Sequence, residues 1–181
     1  GDDRVGRQHL AQDFQVRQTY CWGRLVAERG QALLPTVPVE PLNRFAATER
    51  RVEDFQLPVR SATVRTIVAI DGQLVTLEGH VPASTRNGLL TADVPRDILK
   101  LAVINRYAEA PPAIALVQNF GLTRGALASS VAHDSHNIVA VGATDAELCA
   151  AVNAVIRAQG GIAVVAGQTL DILPLPIAGL M

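Results

Sequence analysis

The sequence predicts an α+β fold, a mixed β-sheet layered with two or more helices and preceded by a β-hairpin and an extended proline-rich arm. Short β-branched runs separated by turn signals predict the strands, and two longer segments with capping residues predict the helices. Hydrophobic residues make up 49% of the 181-residue chain. That length and composition suffice for one hydrophobic core and an appended piece.

The N-terminal part, residues 1–58, is predicted to form the hairpin and the extended arm. Residues 14–20 alternate in character, residues 21–24 offer a turn, and residues 25–28 are apolar again, which is typical of a β-hairpin. Residues 30–58 show little periodicity, so an extended connector is expected there. The prolines that interrupt this connector are Pro35, Pro38, Pro41 and Pro58.

The remaining residues, 59–181, are predicted to form the α+β domain itself. β-branched residues dominate the segment 62–70, and a second extended segment follows at 74–81. Between them, Asp71-Gly72 is a strong signal for a two-residue turn. A second hairpin is therefore expected at the start of this domain.

Two helices are predicted within the domain. The segment 93–107 has Asp93 as an N-cap, a proline in its first turn and a broad apolar face. The segment 144–160 begins at Thr144 or Asp145 and is stopped by a pair of glycines. These helices are expected to cover the sheet.

The rest of the domain is predicted to be mostly extended. Residues 113–120 and 137–143 indicate buried strands, and 162–167 with 168–175 indicate a final strand pair. The small side chains of residues 125–132 are compatible with either a helix or a strand. A layered mixed sheet accommodates this order of elements.

The charge balance and the cysteines exclude several classes of protein. Sixteen basic and 17 acidic residues give a formal net charge of -1, without the clustered basic charge that nucleic-acid binding requires. No apolar run approaches the ~18 residues of a membrane span. Cys21 and Cys149 lie far apart without a CxxC pattern, which predicts reduced thiols in a cytoplasmic protein.

The densest group of reactive side chains lies within an otherwise apolar segment. Its members are His133, Asp134, Ser135, His136 and Asn137. Burying such groups without partners costs several kcal/mol, so the cluster is expected to be a closed hydrogen-bond network or a working site. The first interpretation is a buried turn in which Asp134 and Asn137 bond to local backbone groups.

A working site at this cluster has three possible chemistries. General acid-base chemistry or substrate contact would use the imidazoles and the carboxylate directly. Metal ligation is only weakly indicated, because His133 and His136 lack the spacing and helical context of a zinc motif. A serine triad would need Ser129, Ser130 or Ser135 beside a histidine, and closeness in sequence does not establish that convergence.

Long stretches of the chain resemble a known family. The stretches are GLTRGALASSVAHDSHNIVAVG (121–142), TDAELCAAVNAVIRAQGGIAVVAG (144–167), LPLPIAGLM (173–181), RDILKLAVINRY (96–107) and DFQVRQTYCWGRLVAERG (13–30). Together they are similar to the C-terminal region that follows the catalytic barrel in bacterial adenine deaminases of the amidohydrolase superfamily. The likeness covers nearly the whole chain.

The resemblance implies a hydrolase that converts adenine and water to hypoxanthine and ammonia. In that family a divalent metal, Mn or Fe, generates the attacking hydroxide within a (β/α)8 barrel. This chain has no His-x-His motif, and 181 residues cannot hold a barrel of ~250 residues. The resemblance therefore implies a chain that binds no metal and is inactive alone, either as a fragment or as a shortened relative.

The same resemblance sets expectations for partners and site residues. The implied partners are the barrel domain or another copy of the chain, with adenine in the intact enzyme and a homo-oligomeric assembly. Neither nucleic acid nor membrane is expected. No residue of this chain is assigned a catalytic role, and residues 133–137 are candidates for contacting substrate or closing the site. The alternative is a non-catalytic interaction or oligomerisation domain.

Overall fold

The computed structural model of the protein describes residues 16–35 and 43–181. The chain divides into two compact units, Gly1–Glu40 and Pro41–Met181. The boundary predicted from the sequence, after residue 58, stays a prediction about domain organisation.

The described part of the smaller unit is a three-stranded antiparallel sheet. Its strands are β1 (Gln18–Cys21), β2 (Arg24–Glu28) and β3 (Gln31–Ala32), in the order β1-β2-β3. Both connections are two-residue turns with positive φ at both positions, the geometry that matches the twist of a hairpin. The turn residues are Trp22 and Gly23 (φ 52° and 73°) and Arg29 and Gly30 (φ 50° and 79°). The predicted hairpin is confirmed, and β3 extends it.

The larger unit contains a small sheet and a large one. Its strands are β4 (Leu57–Pro58), β5 (Thr63–Val68), β6 (Leu77–Pro82), β7 (Thr85–Arg86), β8 (Leu89–Leu90), β9 (Ile98–Ile104), β10 (Ala113–Gln118), β11 (Ala126–Ser129), β12 (Ile138–Gly142), β13 (Gly161–Ala166) and β14 (Thr169–Pro174). The small sheet has the order β4-β8-β7, and the large sheet has the order β14-β13-β11-β12-β9-β10-β5-β6. Neighbours in the large sheet are antiparallel except β5 and β10, which are parallel, so the predicted mixed sheet is confirmed.

One α-helix, α1 (Asp145–Arg157), is present among the described residues. The Thr144 hydroxyl accepts a hydrogen bond from the Glu147 amide at 3.2 Å, which satisfies a donor of the first turn. The helix predicted for this segment is confirmed. The broader expectation of two or more helices is wrong for the described part of the chain.

The helix predicted at residues 93–107 is instead a short 3-10 turn followed by a central strand. The turn spans Val94–Arg96, and Asp97 ends it with φ 50°. Strand β9 then pairs with β10 on one side and β12 on the other. A strand covered on both sides carries a continuous apolar run, which periodicity alone does not distinguish from a buried helix.

The hairpin of β5 and β6 and a turn at Asp71-Gly72 are confirmed, but the strands are joined by a longer connection than the predicted two residues. The last pair of the ladder is Val68 with Leu77, so residues 69–76 form the loop. Within this loop the Gln73 amide donates to the Ile70 carbonyl at 3.1 Å, which places the Asp-Gly signal in a local turn. We refer to residues 69–76 as the hairpin loop.

The predicted extended arm is not supported by the described residues that fall within it. Residues 36–42 lie outside the described part, and residues 43–58 pack with the larger unit. There the chain forms a 3-10 helix, Val52–Phe55, whose Phe55 side chain is fully buried. The Asn153 side chain of α1 also bonds both backbone groups of Arg50, at 2.8 and 2.9 Å. Hydrophobic burial and side-chain hydrogen bonds thus hold this segment against the helix.

The main hydrophobic core lies between α1 and one side of the large sheet. Alanine occupies most of the sheet positions in this core, so the helix can approach the strands closely. The buried sheet residues on this side include Ala102, Ile104, Ala126, Ala128, Ile138, Ala140, Ala163 and Val165. Alternation along β13 places every second residue on the other side of the sheet.

Candidate functional site

The polar cluster of residues 133–137 lies in the loop that joins β11 to β12. The backbone amides of Ser135 and His136 both donate to the Ala132 carbonyl, at 3.2 and 2.6 Å. His136 has φ 52°, in the left-handed region that closes such a turn. We refer to residues 131–137 as the polar loop.

The polar loop is exposed at His133, Asp134 and Ser135 and half-buried at His136 and Asn137, which corrects the expectation of a buried turn. The side chains of His133 and Asp134 are 87% and 89% exposed, and their Nε2 and Oδ1 atoms are 3.3 Å apart. Asn137 lies nearer the sheet, where its Oδ1 accepts from the Arg106 amide at 3.4 Å. Water can form hydrogen bonds with the exposed groups, so they do not carry the free-energy cost of burying polar atoms without partners.

The metal and triad interpretations of the cluster gain no support. Within residues 16–35 and 43–181, no three His, Cys, Asp or Glu side chains converge as a metal site would require. Ser130 is fully buried, and its hydroxyl accepts from the Gly161 amide at 2.8 Å and donates to the Gly179 carbonyl at 2.5 Å. This serine therefore fastens the C-terminal turn to β13.

A second feature of the site was missed by sequence analysis. The side of the large sheet opposite α1 is apolar and partly uncovered around β11, β12 and β13. We call this surface the open face; its residues are Leu127, Ser129, Val139, Ile162 and Val164. A shallow cavity of about 420 Å³ lies over it, and its further lining includes Phe120, Val131 and Ala132.

The sequence of strand β13 contained a pattern that could have predicted the open face. Ile162 and Val164 alternate with buried residues on β13, yet they are 40% and 43% exposed. A strand with apolar residues on both sides indicates a sheet that is covered on both sides. Part of that covering is present at the other end of the sheet, where Val94 and Leu122 pack over Leu99 and Val141.

The single lysine of the chain is a buried ion-pair residue, which the sequence did not indicate. Lys100 lies on β9, is 1% exposed, and its Nζ is 2.6 Å from Oδ1 of Asp145 in the first turn of α1. The same ammonium donates to the Phe55 carbonyl at 3.0 Å. Lys100 therefore joins the sheet, the helix and the 3-10 helix at one point.

Arg106 is a second buried cation, at the end of β9. Its guanidinium stacks near the rings of Phe45 and Tyr107, and Nη2 donates to the Tyr107 hydroxyl at 2.9 Å. No hydrogen-bond partner for its Nε and Nη1 atoms is found among the described residues. Aromatic faces compensate part of the desolvation of such a cation.

No helix in the described part of the chain has both the length and the apolar character that crossing a membrane requires.

Comparisons with known proteins agree with one another. The family model for the adenine deaminase C-terminal domain matches residues 73–181. The chain is 53% identical over 169 residues to an adenine deaminase of Salinibacter ruber, 42% to one of Parabacteroides distasonis and 41% over 180 residues to one of Methanosarcina mazei. Each comparison covers 93% of this chain and 31 or 32% of the relative. The chain thus spans about a third of the relatives' length, and it belongs to the adenine deaminase C-terminal domain family.

Proposed function

We propose that the chain works as the C-terminal domain of an adenine deaminase and that its polar loop contacts the purine or closes the site. The proposal rests on one observation about the polar loop. The His133 imidazole and the Asp134 carboxylate project from a turn whose backbone is fixed by hydrogen bonds, beside an uncovered apolar surface, and the half-buried His136 lies in the same turn. Exposed groups of this kind contribute little to the stability of their own domain and are free to contact another domain or a ligand.

We assign the chemistry of deamination to the part of the enzyme that lies outside the region similar to this chain. The reaction requires an activated water, which a metal such as Mn or Fe supplies in the resembled family. The described residues of this chain do not fit a metal, because no three ligand side chains converge in them. We therefore assign no metal-dependent step to this chain.

The polar loop can contribute without holding the metal. A neutral imidazole has one donor and one acceptor nitrogen, and a carboxylate accepts. A purine ring presents complementary donors and acceptors at its edge. A loop that brings these groups over the substrate would position it and exclude water, which is the usual action of site-closing elements.

The test uses a chimera in which the matched part of this chain replaces that of the Salinibacter ruber adenine deaminase. Hypoxanthine formation from adenine is measured for the parent chimera, His133→Ala and His136→Ala. The matched control is His80→Ala, because His80 is also exposed and lies 3.4 Å from a carboxylate, that of Glu78 on β6. We expect kcat/KM to fall by about tenfold or more in the polar-loop variants only.

Two outcomes would argue against this role of the loop. Unchanged kcat/KM in both polar-loop variants would limit residues 133–137 to a structural turn. An equal loss in His80→Ala would show that the substitutions act through a general effect on the chimera.

The open face supports a second candidate function, a non-catalytic interaction or oligomerisation domain. A surface of this kind commonly marks an interaction site. This candidate predicts that the isolated chain self-associates through the open face and that the polar-loop variants leave deamination unchanged. Light scattering of the isolated chain and the chimera assay separate the two candidates.

A further inference from the structure

The open face is a continuous apolar surface and not a set of scattered side chains. The ladder places Ser129 beside both Val139 and Ile162, and it places Leu127 beside Val164. Cross-strand neighbours on one side of a sheet are in contact, so these residues form one patch. No charged residue lines the cavity above it, and the charged Asp171 of β14 lies at its edge, beside Val164. The patch therefore has the composition of an interface core, where charged residues are depleted.

We propose that the open face docks against the remainder of an adenine deaminase, the part that carries out catalysis. This inference rests on the proposed function. About two thirds of each relative lies outside the match, which leaves ample chain to form a covering surface. Because that part is covalently linked to the domain in the relatives, its effective concentration favours it over a second copy as the occupant.

The position of the polar loop agrees with this occupant. Val131 and Ala132 begin the polar loop and also line the cavity over the open face. His133 follows them directly in the chain. Docking of the open face would therefore leave the exposed imidazole and carboxylate at the rim of the interface, where polar groups are usual and where they can reach a neighbouring site.

The test compares thiol labelling in two proteins, the isolated 181-residue chain and the chimera with the Salinibacter ruber enzyme. Ile162→Cys introduces a thiol on the β13 side of the open face, and Val164→Cys provides a second position there. Leu74→Cys is the control, because Leu74 is fully exposed in the hairpin loop. Maleimide labelling is read on the peptide that carries each thiol, and thermal unfolding confirms that each variant folds.

We expect Ile162→Cys and Val164→Cys to label at least about tenfold more slowly in the chimera than in the isolated chain, with Leu74→Cys unchanged. Equal rates at the open face in both proteins would overturn the docking proposal. Slowing at all three positions would show general occlusion and would also overturn it. Protection in the chimera that is lost on dilution would identify a second copy as the occupant and reject the catalytic part.

The two proposals fail independently. Protection of the open face in the chimera, together with full activity of His133→Ala and His136→Ala, rejects the proposed role of the polar loop and retains the docking surface. Loss of activity in those variants without protection of the open face rejects the docking surface and retains the polar loop.

Discussion

Asp145→Asn is expected to destabilise the fold more than Lys100→Met, because the two charges of this ion pair differ in burial. The Lys100 side chain is 1% exposed and that of Asp145 is 23% exposed. Removing the carboxylate leaves the ammonium buried without a counter-charge. Breaking a buried ion pair in this way costs about 3 to 5 kcal/mol in free energy of unfolding.

Lys100→Met has a smaller expected effect. The Phe55 carbonyl loses its donor at 3.0 Å, and an unsatisfied buried acceptor costs about 1 to 3 kcal/mol. The Asp145 carboxylate remains partly solvated in the first turn of α1, where the helix dipole favours a negative charge by about 0.3 to 1 kcal/mol. The double variant has no isolated ammonium and is therefore expected to be more stable than Asp145→Asn alone.

Equilibrium unfolding in urea, followed by circular dichroism, gives the free energy of unfolding of the four proteins. We expect the free energy of unfolding to fall from the parent through Lys100→Met to Asp145→Asn, with the double variant more stable than Asp145→Asn. This expectation would be refuted if Asp145→Asn cost less than about 1 kcal/mol, the range of an exposed pair. A double variant less stable than Asp145→Asn would refute it as well.

Three further predictions concern other groups. Ser130→Ala leaves a buried amide and a buried carbonyl unpaired, so urea unfolding should show a loss of about 1 to 3 kcal/mol. Burial, and then nearby carboxylates, raise the pKa of Cys149, so this thiol should resist Ellman's reagent in the folded protein and react after unfolding. Hydrogen bonds from Ser84 and Arg96 lower the pKa of Asp93 below its ordinary value of 3.8. The stability that this carboxylate contributes is present above that value and is lost as pH falls through the folded-state pKa. The difference in free energy of unfolding between the parent and Asp93→Asn, measured in urea at a series of pH values, should therefore shrink as the pH is lowered.

The elements predicted correctly are those with strong local signals. The helix α1 has its cap and its glycine stop within its own sequence, and the strand pair β13 and β14 has a clear apolar pattern. Strand β9 was misread because its residues are buried on both sides, so its apolar run lacks the alternation of a half-exposed strand. Partners distant in sequence determine that burial.

The surroundings of the candidate residues could not be predicted from the sequence for a similar reason. The sequence contains all five polar residues of the cluster, but their exposure depends on where the β11–β12 loop projects from the sheet. Lys100 appeared as one polar position in an apolar run, and its partner Asp145 is recognisable only after folding. The open face needs the register of three strands, which no local pattern supplies.

The most direct test of the central claim is functional replacement in a relative. The Salinibacter ruber adenine deaminase shares 53% identity with this chain over the matched 31% of its length. Hypoxanthine formation should be lost when that part is deleted and should return when the matched residues of this chain take its place. A folded chimera without deaminase activity, or a deletion variant as active as the complete relative, would contradict the assignment of this chain as an adenine deaminase C-terminal domain in function.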